Sequence, residues 1–405
     1  MSGYIQQLTG IIPHTNKKID IPVNGNNLII TGGNGSGKTS FLRAIYGKTR
    51  LFIVEKQQAD LPSEKAKLLQ YTKKLESLPK GTHDHDYYSG LSHDCKARIA
   101  RIESGIQVII PEYISFSAKH DDNHAVVLYF EDSRLAQIAE ATTTQGLQTE
   151  IADLRTISKS GKKVGNNLEQ HLLNLRTRRS LAITEDHDQQ LADTIEQWFK
   201  DFEKNLKHLF EDDTVKLVFD SNRYKFSIQQ DSKPPTTFQN LSAGYKAIFD
   251  VYADLLMRTR YFSISPTELE GVVFIDEIDS HLHISLQRLI LPFFIQSFPK
   301  VQFIVTTHSP FVLMSTRDIL VYDLGKETPY KISQVKSQNE ILAEYLNVPT
   351  AMPVWAAEKL DEILRRYVSK TTDNISFAEL KEELTTAGLE MYFPGSVANI
   401  LEEKQ

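Results

Sequence analysis

The stretch Gly271–Ser285, GVVFIDEIDSHLHIS, constrains the fold most. Val272, Val273, Phe274 and Ile275 are four apolar residues in a row, three of them β-branched. Such a run fits a strand covered on both faces, as in a parallel sheet. It ends in two carboxylates, Asp276 and Glu277. Acids at the carboxyl end of a buried strand are costly to desolvate unless a metal or ligand uses them. The crevice outside the strand ends is also where open α/β sheets bind ligands. An acidic loop after a core strand is the plain alternative, and other segments must decide.

Leu28-Ile29-Ile30 predicts a second buried strand, followed by Gly32, Gly33, Asn34, Gly35, Ser36, Gly37, Lys38, Thr39 and Ser40. These residues fit G-x-x-x-x-G-K-[ST], a phosphate-binding loop, with a strand before and a predicted helix Ser40–Tyr46 after. Its glycines let backbone N–H groups turn inward around phosphate oxygens. Lys38 is expected to reach the β- and γ-phosphates and Thr39 to ligand Mg²⁺. The helix N-terminus adds its positive end.

The 405 residues suffice for one large domain or two smaller ones. A net charge of -6 gives no global nucleic-acid footprint, although a local basic patch is compatible with it. One cysteine, Cys95, excludes an internal disulfide framework and fits a reducing cytosol. No apolar run approaches 18 residues, so no membrane span is expected, and the N-terminus does not read as a secretory signal. The expected location is cytoplasmic.

Between the phosphate loop and the acidic strand the signals are weaker. Residues 51–105 read as a polar helical insertion, in which Gly81–Cys95 carries His83, Asp84, His85, Asp86, His93 and Asp94. A solvated irregular loop is the first reading and a metal site the second. Ile106–Ile110, Tyr113–Ala118 and Ala125–Phe130 read as strands. Residues 133–213 read as a short helical arm, with Leu191, Ile195, Trp198, Phe202, Leu206 and Leu209 forming an amphipathic seam. Arg176, Arg178 and Arg179 with Lys159, Lys162 and Lys163 make it basic in places; a solvated face is the first reading, a DNA phosphate contact the second.

Val215–Phe219 and Tyr224–Gln229 predict a hairpin, followed by a break at Pro234-Pro235. Leu241-Ser242-Ala243-Gly244 then opens an apolar helix; Ser242 is placed to cap it, and Gly244 lets backbone approach a ligand. After the acidic strand, Val301–Val305 predicts another strand ending at Thr306-Thr307-His308-Ser309-Pro310, and Ile319–Leu324 a last one. Helices are expected at Asn339–Leu346, Val354–Val368 and within Ser376–Leu401.

The four motifs occur in the order phosphate loop, Leu-Ser-x-Gly, apolar strand with Asp-Glu, and Thr-His-Ser. This set resembles the ABC-type ATPase head shared by SMC proteins, RecF-like repair ATPases and the OLD group. The resemblance covers roughly residues 1–50 and 215–325. It is strongest to OLD-like ATPases of bacterial defence systems, through Ile275–His283, Gln287, Phe298-Pro299, Gln302-Phe303 and Thr306–Pro310. The fold it implies is α/β: an ABC-ATPase head of mixed sheet and helices, from 1–50, 106–132 and 214–345, interrupted by the arm and followed by C-terminal helices at 346–405.

The resemblance also implies roles. Lys38 and Thr39 bind phosphate and Mg²⁺, Asp276 holds Mg²⁺, Glu277 polarises the attacking water and His308 senses the γ-phosphate. Ser242 and Gly244 complete the site of a second subunit, so ATP is held between two heads. Ile278 stands where the family often has proline, and Ala243 replaces a glycine of the transporter signature. No glutamine clearly marks the loop that usually bears one, and Gln107 is the nearest candidate. Short arms and a short C-terminal part imply an ATPase without a nuclease site of its own. Among two-component anti-phage systems, PARIS-type ATPases are the first match and Septu- and retron-type ATPases the second. Either implies higher homo-oligomers, a separate effector nuclease (TOPRIM type, or HNH type if Septu-like) and a phage-encoded trigger. A RecF- or SMC-like clamp acting on DNA is the competing reading.

Overall fold

The computed structural model describes residues 3–13, 15, 17–103, 105–152, 162–316, 319–326, 329–331, 356, 358–359, 362–363 and 377–389. The chain divides into two units, residues 1–335 and 336–405. In chain order the first contains strands β1 (Gln7–Ile11), β2 (Lys18–Pro22) and β3 (Leu28–Thr31), then helices α1 (Lys38–Ile53), α2 (Gln57–Ser77) and α3 (His83–Glu103). Next come β4 (Gln107–Ile109), α4 (Tyr113–Asp121), β5 (Ala125–Phe130), α5 (Leu168–Thr184) and α6 (Gln189–Phe210). Strands β6 (Lys216–Asp220), β7 (Lys225–Gln230) and β8 (Lys233–Thr236) precede α7 (Ala243–Phe262), β9 (Glu270–Ile275), α8 (Ile284–Ser297) and β10 (Val301–Thr306). The short α9 (Pro310–Leu313), β11 (Leu320–Asp323) and β12 (Pro329–Lys331) close it.

The central sheet has the order β12-β11-β3-β10-β9-β5. Its inner pairings are all parallel, and only β12 runs antiparallel at the edge. A parallel sheet needs cover on both faces, which explains why β9 and β10 are buried at nearly every position. Alternation divides the strands between two layers. Leu28, Ile30, Val272, Phe274 and Ile304 pack with Phe41 and Leu42 of α1, beneath the antiparallel sheet β2-β1-β4. On the opposite face Phe303 stacks on Phe294 of α8 at 5.8 Å. The fold is thus α/β, a mostly parallel sheet between layers with the phosphate loop on β3 and the acids on β9.

Three local expectations are corrected. Tyr113–Ala118 is helical, part of α4, because Phe116 and Ser117 must face one side: Phe116 stacks under Tyr4 at 3.7 Å and Ser117 Oγ donates to the Ile53 carbonyl at 2.8 Å. Packing here overrides the strand preference of aromatic and β-branched residues. The His/Asp-rich segment is not a loop but the start of α3. Thr82 Oγ1 accepts from the His85 N–H at 3.2 Å, and Asp84 and Asp86 occupy the first turn, where acids favour helix starts. Among the described residues no group of three His, Cys, Asp or Glu side chains could hold a metal. Pro234 and Pro235 do not break the chain but sit in β8, at a sheet edge, where a missing N–H is tolerated.

The helices of the 133–213 segment lie against the head. Phe202 stacks on Tyr252 of α7 at 6.3 Å, Phe210 on Tyr245 at 4.2 Å, and Asn205 Nδ2 donates to the Tyr252 hydroxyl at 3.0 Å. The seam on α6 is therefore an intramolecular contact. In the second unit the helix α10 (Phe377–Thr386) ends at Gly388 with Leu384 and Leu389 buried. Residues 356, 358–359 and 362–363 are helical. The expected helix at 339–346 lies outside the described residues, as do most of the residues of the other two. No helix among the described residues is long and apolar enough to cross a membrane.

Candidate functional site

Strand order brings the motifs together. One strand, β10, separates β3 from β9, so their carboxyl ends stand about 10 Å apart on one edge of the sheet. At the end of β3 the chain turns through Gly35 (φ 74°) and Gly37 (φ 94°), left-handed conformations that other residues adopt at a cost. Lys38 is buried, and its Nζ donates to the carbonyls of Gly32 and Gly33, both at 3.1 Å. Burial holds the lysine below its ordinary pKa, opposed by the nearby carboxylates of Glu277, Asp276, Asp279 and Asp323.

Asp276 is the hub. Its Oδ1 accepts from Thr39 Oγ1 at 3.2 Å and from Thr306 Oγ1 at 2.6 Å, and its Oδ2 accepts from the Tyr129 hydroxyl at 3.2 Å. The phosphate loop, the acidic strand and the strand between them are thereby joined on one carboxylate. Burial pushes the Tyr129 hydroxyl up to about 12, so it stays a donor. Glu277 is less buried, with its carboxyl above the ordinary range because of burial and the adjacent Asp276, Asp132 and Asp279. Its backbone is left-handed at φ 43°. The Glu277 N–H donates to Thr306 Oγ1 at 2.7 Å.

His308 follows β10 directly. The Thr307 N–H still pairs with the Ile30 carbonyl at 3.1 Å, and Thr307 Oγ1 donates to Asp279, which sets His308 at the edge between phosphate loop and acids. Burial and the charge of Lys38 keep its imidazole below the usual pKa.

Ser242 stands at the N-cap of α7 but its side chain makes no capping bond; it is exposed instead. Gly244 is buried, and a Cβ there would lie 3.1 Å from the His281 carbonyl and 3.2 Å from Leu286 Cδ1. Gly244 thus packs closely against the loop after Glu277, and a larger residue would make its neighbours give by a few tenths of an ångström. Gln107 lies on β4, in the antiparallel sheet, away from the strand that borders the acids. That bordering strand is β5, and Arg134 follows it closely.

No motif singles out Arg134 or Tyr129, and Thr306 falls within the Thr306–Pro310 stretch without a role of its own. The signal for Arg134, an arginine among acids just past a strand, is too common to read. Asp323, at the end of β11, is also fully buried; its Oδ1 accepts from the Gly325 N–H at 2.7 Å.

The residues fit a bound nucleotide and Mg²⁺. The Ser36 hydroxyl is buried without a hydrogen-bond partner inside the loop, and Lys38 rests on the loop's own carbonyls. The hydroxyl and carboxylate oxygens of Thr39 and Asp276 are the hard donors that Mg²⁺ prefers.

The family model described as AAA domain, putative AbiEii toxin, Type IV TA system matches residues 100–315, more than half of the sequence. The chain belongs to this family. Relatives of this AAA-domain protein include the Retron Ec83 probable ATPase of Escherichia coli, 32% identical over 37% of this chain and 24% of that protein. The Septu protein PtuA of Bacillus mycoides (strain KBAB4) is 32% identical over 30% of this chain and 16% of that protein. The Retron Vc95 probable ATPase of Vibrio cholerae serotype O1 biovar El Tor is 42% identical over 18% and 15%. The matches thus span a quarter or less of each of these relatives. Their names are of the Septu and retron type, the second of the two types the motifs resemble. Among solved structures, an Smc head bound to the C-winged helix domain of ScpA aligns over 81% of this chain and 98% of its own, with 13% identity and a TM-score of 0.37. So loose a superposition supports no argument, and the fold class rests on the strand order.

Arg176 and Arg179 pair with Glu196 at 3.7 and 2.9 Å, Arg178 pairs with Asp186, and Lys163 with Asp250. Four of the six basic arm residues thus meet acids of the same chain. Lys159 lies outside the described residues.

Proposed function

We propose that this AAA-domain protein binds and hydrolyses ATP with Mg²⁺, as the ATPase subunit of a two-component anti-phage defence system that controls a separate effector nuclease. The observation that carries the ATPase reading is the shared carboxylate oxygen of Asp276, which ties Thr39 of the phosphate loop to Thr306 beside Glu277. Lys38 supplies a buried positive charge to the phosphates. Thr39 and Asp276 would hold Mg²⁺, which would supply charge neutralisation at the phosphoryl oxygens. Glu277 orients the attacking water and accepts its proton, His308 contacts the γ-phosphate, and catalysis is positioning plus charge stabilisation.

The exposed Ser242 and the start of α7 face a second copy and complete its nucleotide site, so two heads close over two ATPs. The Septu and retron names of the relatives support the defence reading. The nuclease is of HNH type in a Septu-like system and TOPRIM type in a PARIS-like one, and a phage product triggers it.

Replacing Glu277→Gln tests the ATPase reading. Hydrolysis is expected to fall by roughly 10² or more, the usual worth of a positioned acid–base group, with ATP binding retained. An unchanged rate of phosphate release would sink this assignment.

A further inference from the structure

Glu277 is an L-residue held at a positive φ of 43°, a conformation that side chains other than glycine's disfavour. Such a residue persists only when its surroundings over-determine it. On one side the Glu277 N–H is fixed by Thr306 Oγ1. On the other, Arg134 Nη2 donates to the Glu277 carbonyl at 2.9 Å. The same guanidinium donates through Nη1 to the Asp276 carbonyl and, at 2.9 Å, to the Glu131 carbonyl. A planar fork of donors spans consecutive carbonyls in a way that a single ammonium does not.

Arg134 is only 3% exposed, so its charge sits in a dry place for the sake of backbone oxygens. The stem lines a gap too small for water, with Ala247, Ile248 and Val251 of α7 and Ile275 and Ile278 of the acidic segment. Two residues on, the Ala136 N–H donates to the Lys246 carbonyl in the first turn of α7 at 3.1 Å. Residues 131–136 thus strap the Asp276–Glu277 turn to the start of the Leu-Ser-x-Gly helix.

We propose that Arg134 is a positioning residue: it holds the backbone of Glu277 in its left-handed turn and seats that turn against α7. It acts through the backbone carbonyls that its guanidinium holds. This rests on the reading of Glu277 as the group that orients the attacking water.

Arg134→Met keeps the stem and removes the donors; Arg134→Lys returns one of them. In Arg134→Met the hydrolysis rate is expected to fall roughly 100-fold, the cost of misplacing a catalytic group by about 1 Å, while fluorescent-ATP affinity and Tm stay near the parent values. Arg134→Lys is expected to recover part of the rate. Hydrogen exchange of the Glu277 and Ile278 amides should quicken in Arg134→Met, with Val272–Ile275 unchanged. Unchanged exchange at 277–278, or a loss of ATP binding and Tm in step with the rate, would overturn the proposal. If the parent shows no hydrolysis, the ATPase reading fails, and the exchange rates alone decide whether Arg134 holds the turn.

Discussion

At the scale of single residues the site is a contest of charges in a half-dry crevice. Burial first, then the charges of Asp276, Asp132 and Asp279, disfavour ionisation of Glu277, whereas Lys38 favours it. A base with a raised pKa loses its proton only at higher pH, so ATP hydrolysis is expected to rise with pH through a midpoint above the ordinary glutamate range. Asp132 is exposed, and its Oδ1 accepts from the neighbouring Ser133 N–H at 2.8 Å. Asp132→Asn removes a negative neighbour, so the carboxylate form of Glu277 gains and the acid limb of the pH–rate profile moves down. Salt in the assay should shrink that shift, because exposed charges are screened. A profile that moves up, or none that responds, would mean that another group sets the limb.

Elements show what the sequence makes legible. The phosphate loop and Asp276–Glu277 are local: each reads from a strand, a turn and a few residues whose chemistry has one common use. The strands of the central sheet are legible for a related reason, since burial on both faces leaves uninterrupted apolar runs such as Val301–Val305. By contrast, α4 is written in residues that prefer strands and becomes helical only because α1 and Tyr4 press on one side of it. The start of α3 carried a readable sign, Thr82 followed by acids, masked by the histidines that suggest a metal. Arg134 could not be read at all, because the two carbonyls that give it its place, those of Asp276 and Glu277, lie more than a hundred residues away.

The junction of α7 with the segment before α5 gives an element-scale prediction. Gly165 packs so closely that a Cβ would sit 2.6 Å from the Asp254 nitrogen, and Asp254 Oδ1 accepts from the Val164 N–H at 2.6 Å. Gly165→Ala should therefore push this segment off α7 and destabilise the protein by about 1–3 kcal/mol, the usual range for overpacking. Thermal unfolding reads it, and an undiminished Tm would show that the contact yields. Removing α5 and α6 altogether uncovers Tyr252 and Phe293, so point changes on the outer face of α5 are the better probe of partner binding.

For the whole molecule, the unfinished feature is the exposed start of α7. Ser242 offers a hydroxyl that its own helix does not use. If two heads close over ATP, Glu277→Gln with ATP and Mg²⁺ should sediment at twice the monomer mass or more, and return to monomer on nucleotide removal. Persistent monomer under saturating ATP would argue that each head works alone. The same trapped form, recovered from its host, should carry a nuclease as the bound chain; recovery of DNA with repair factors would favour the clamp reading instead.

The strand order also sets a timetable for birth on the ribosome. Strand β3, which leads into the phosphate loop, pairs only with β10 and β11, both about 270 or more residues downstream. At roughly 5–20 residues per second, its neighbours emerge some 15–55 s after it does. Through that interval Leu28-Ile29-Ile30 has no sheet to join, and a chain cut short before residue 301 carries a phosphate loop without the frame that gives it meaning. A truncated copy of this protein is therefore a burden for chaperones and not a partial ATPase.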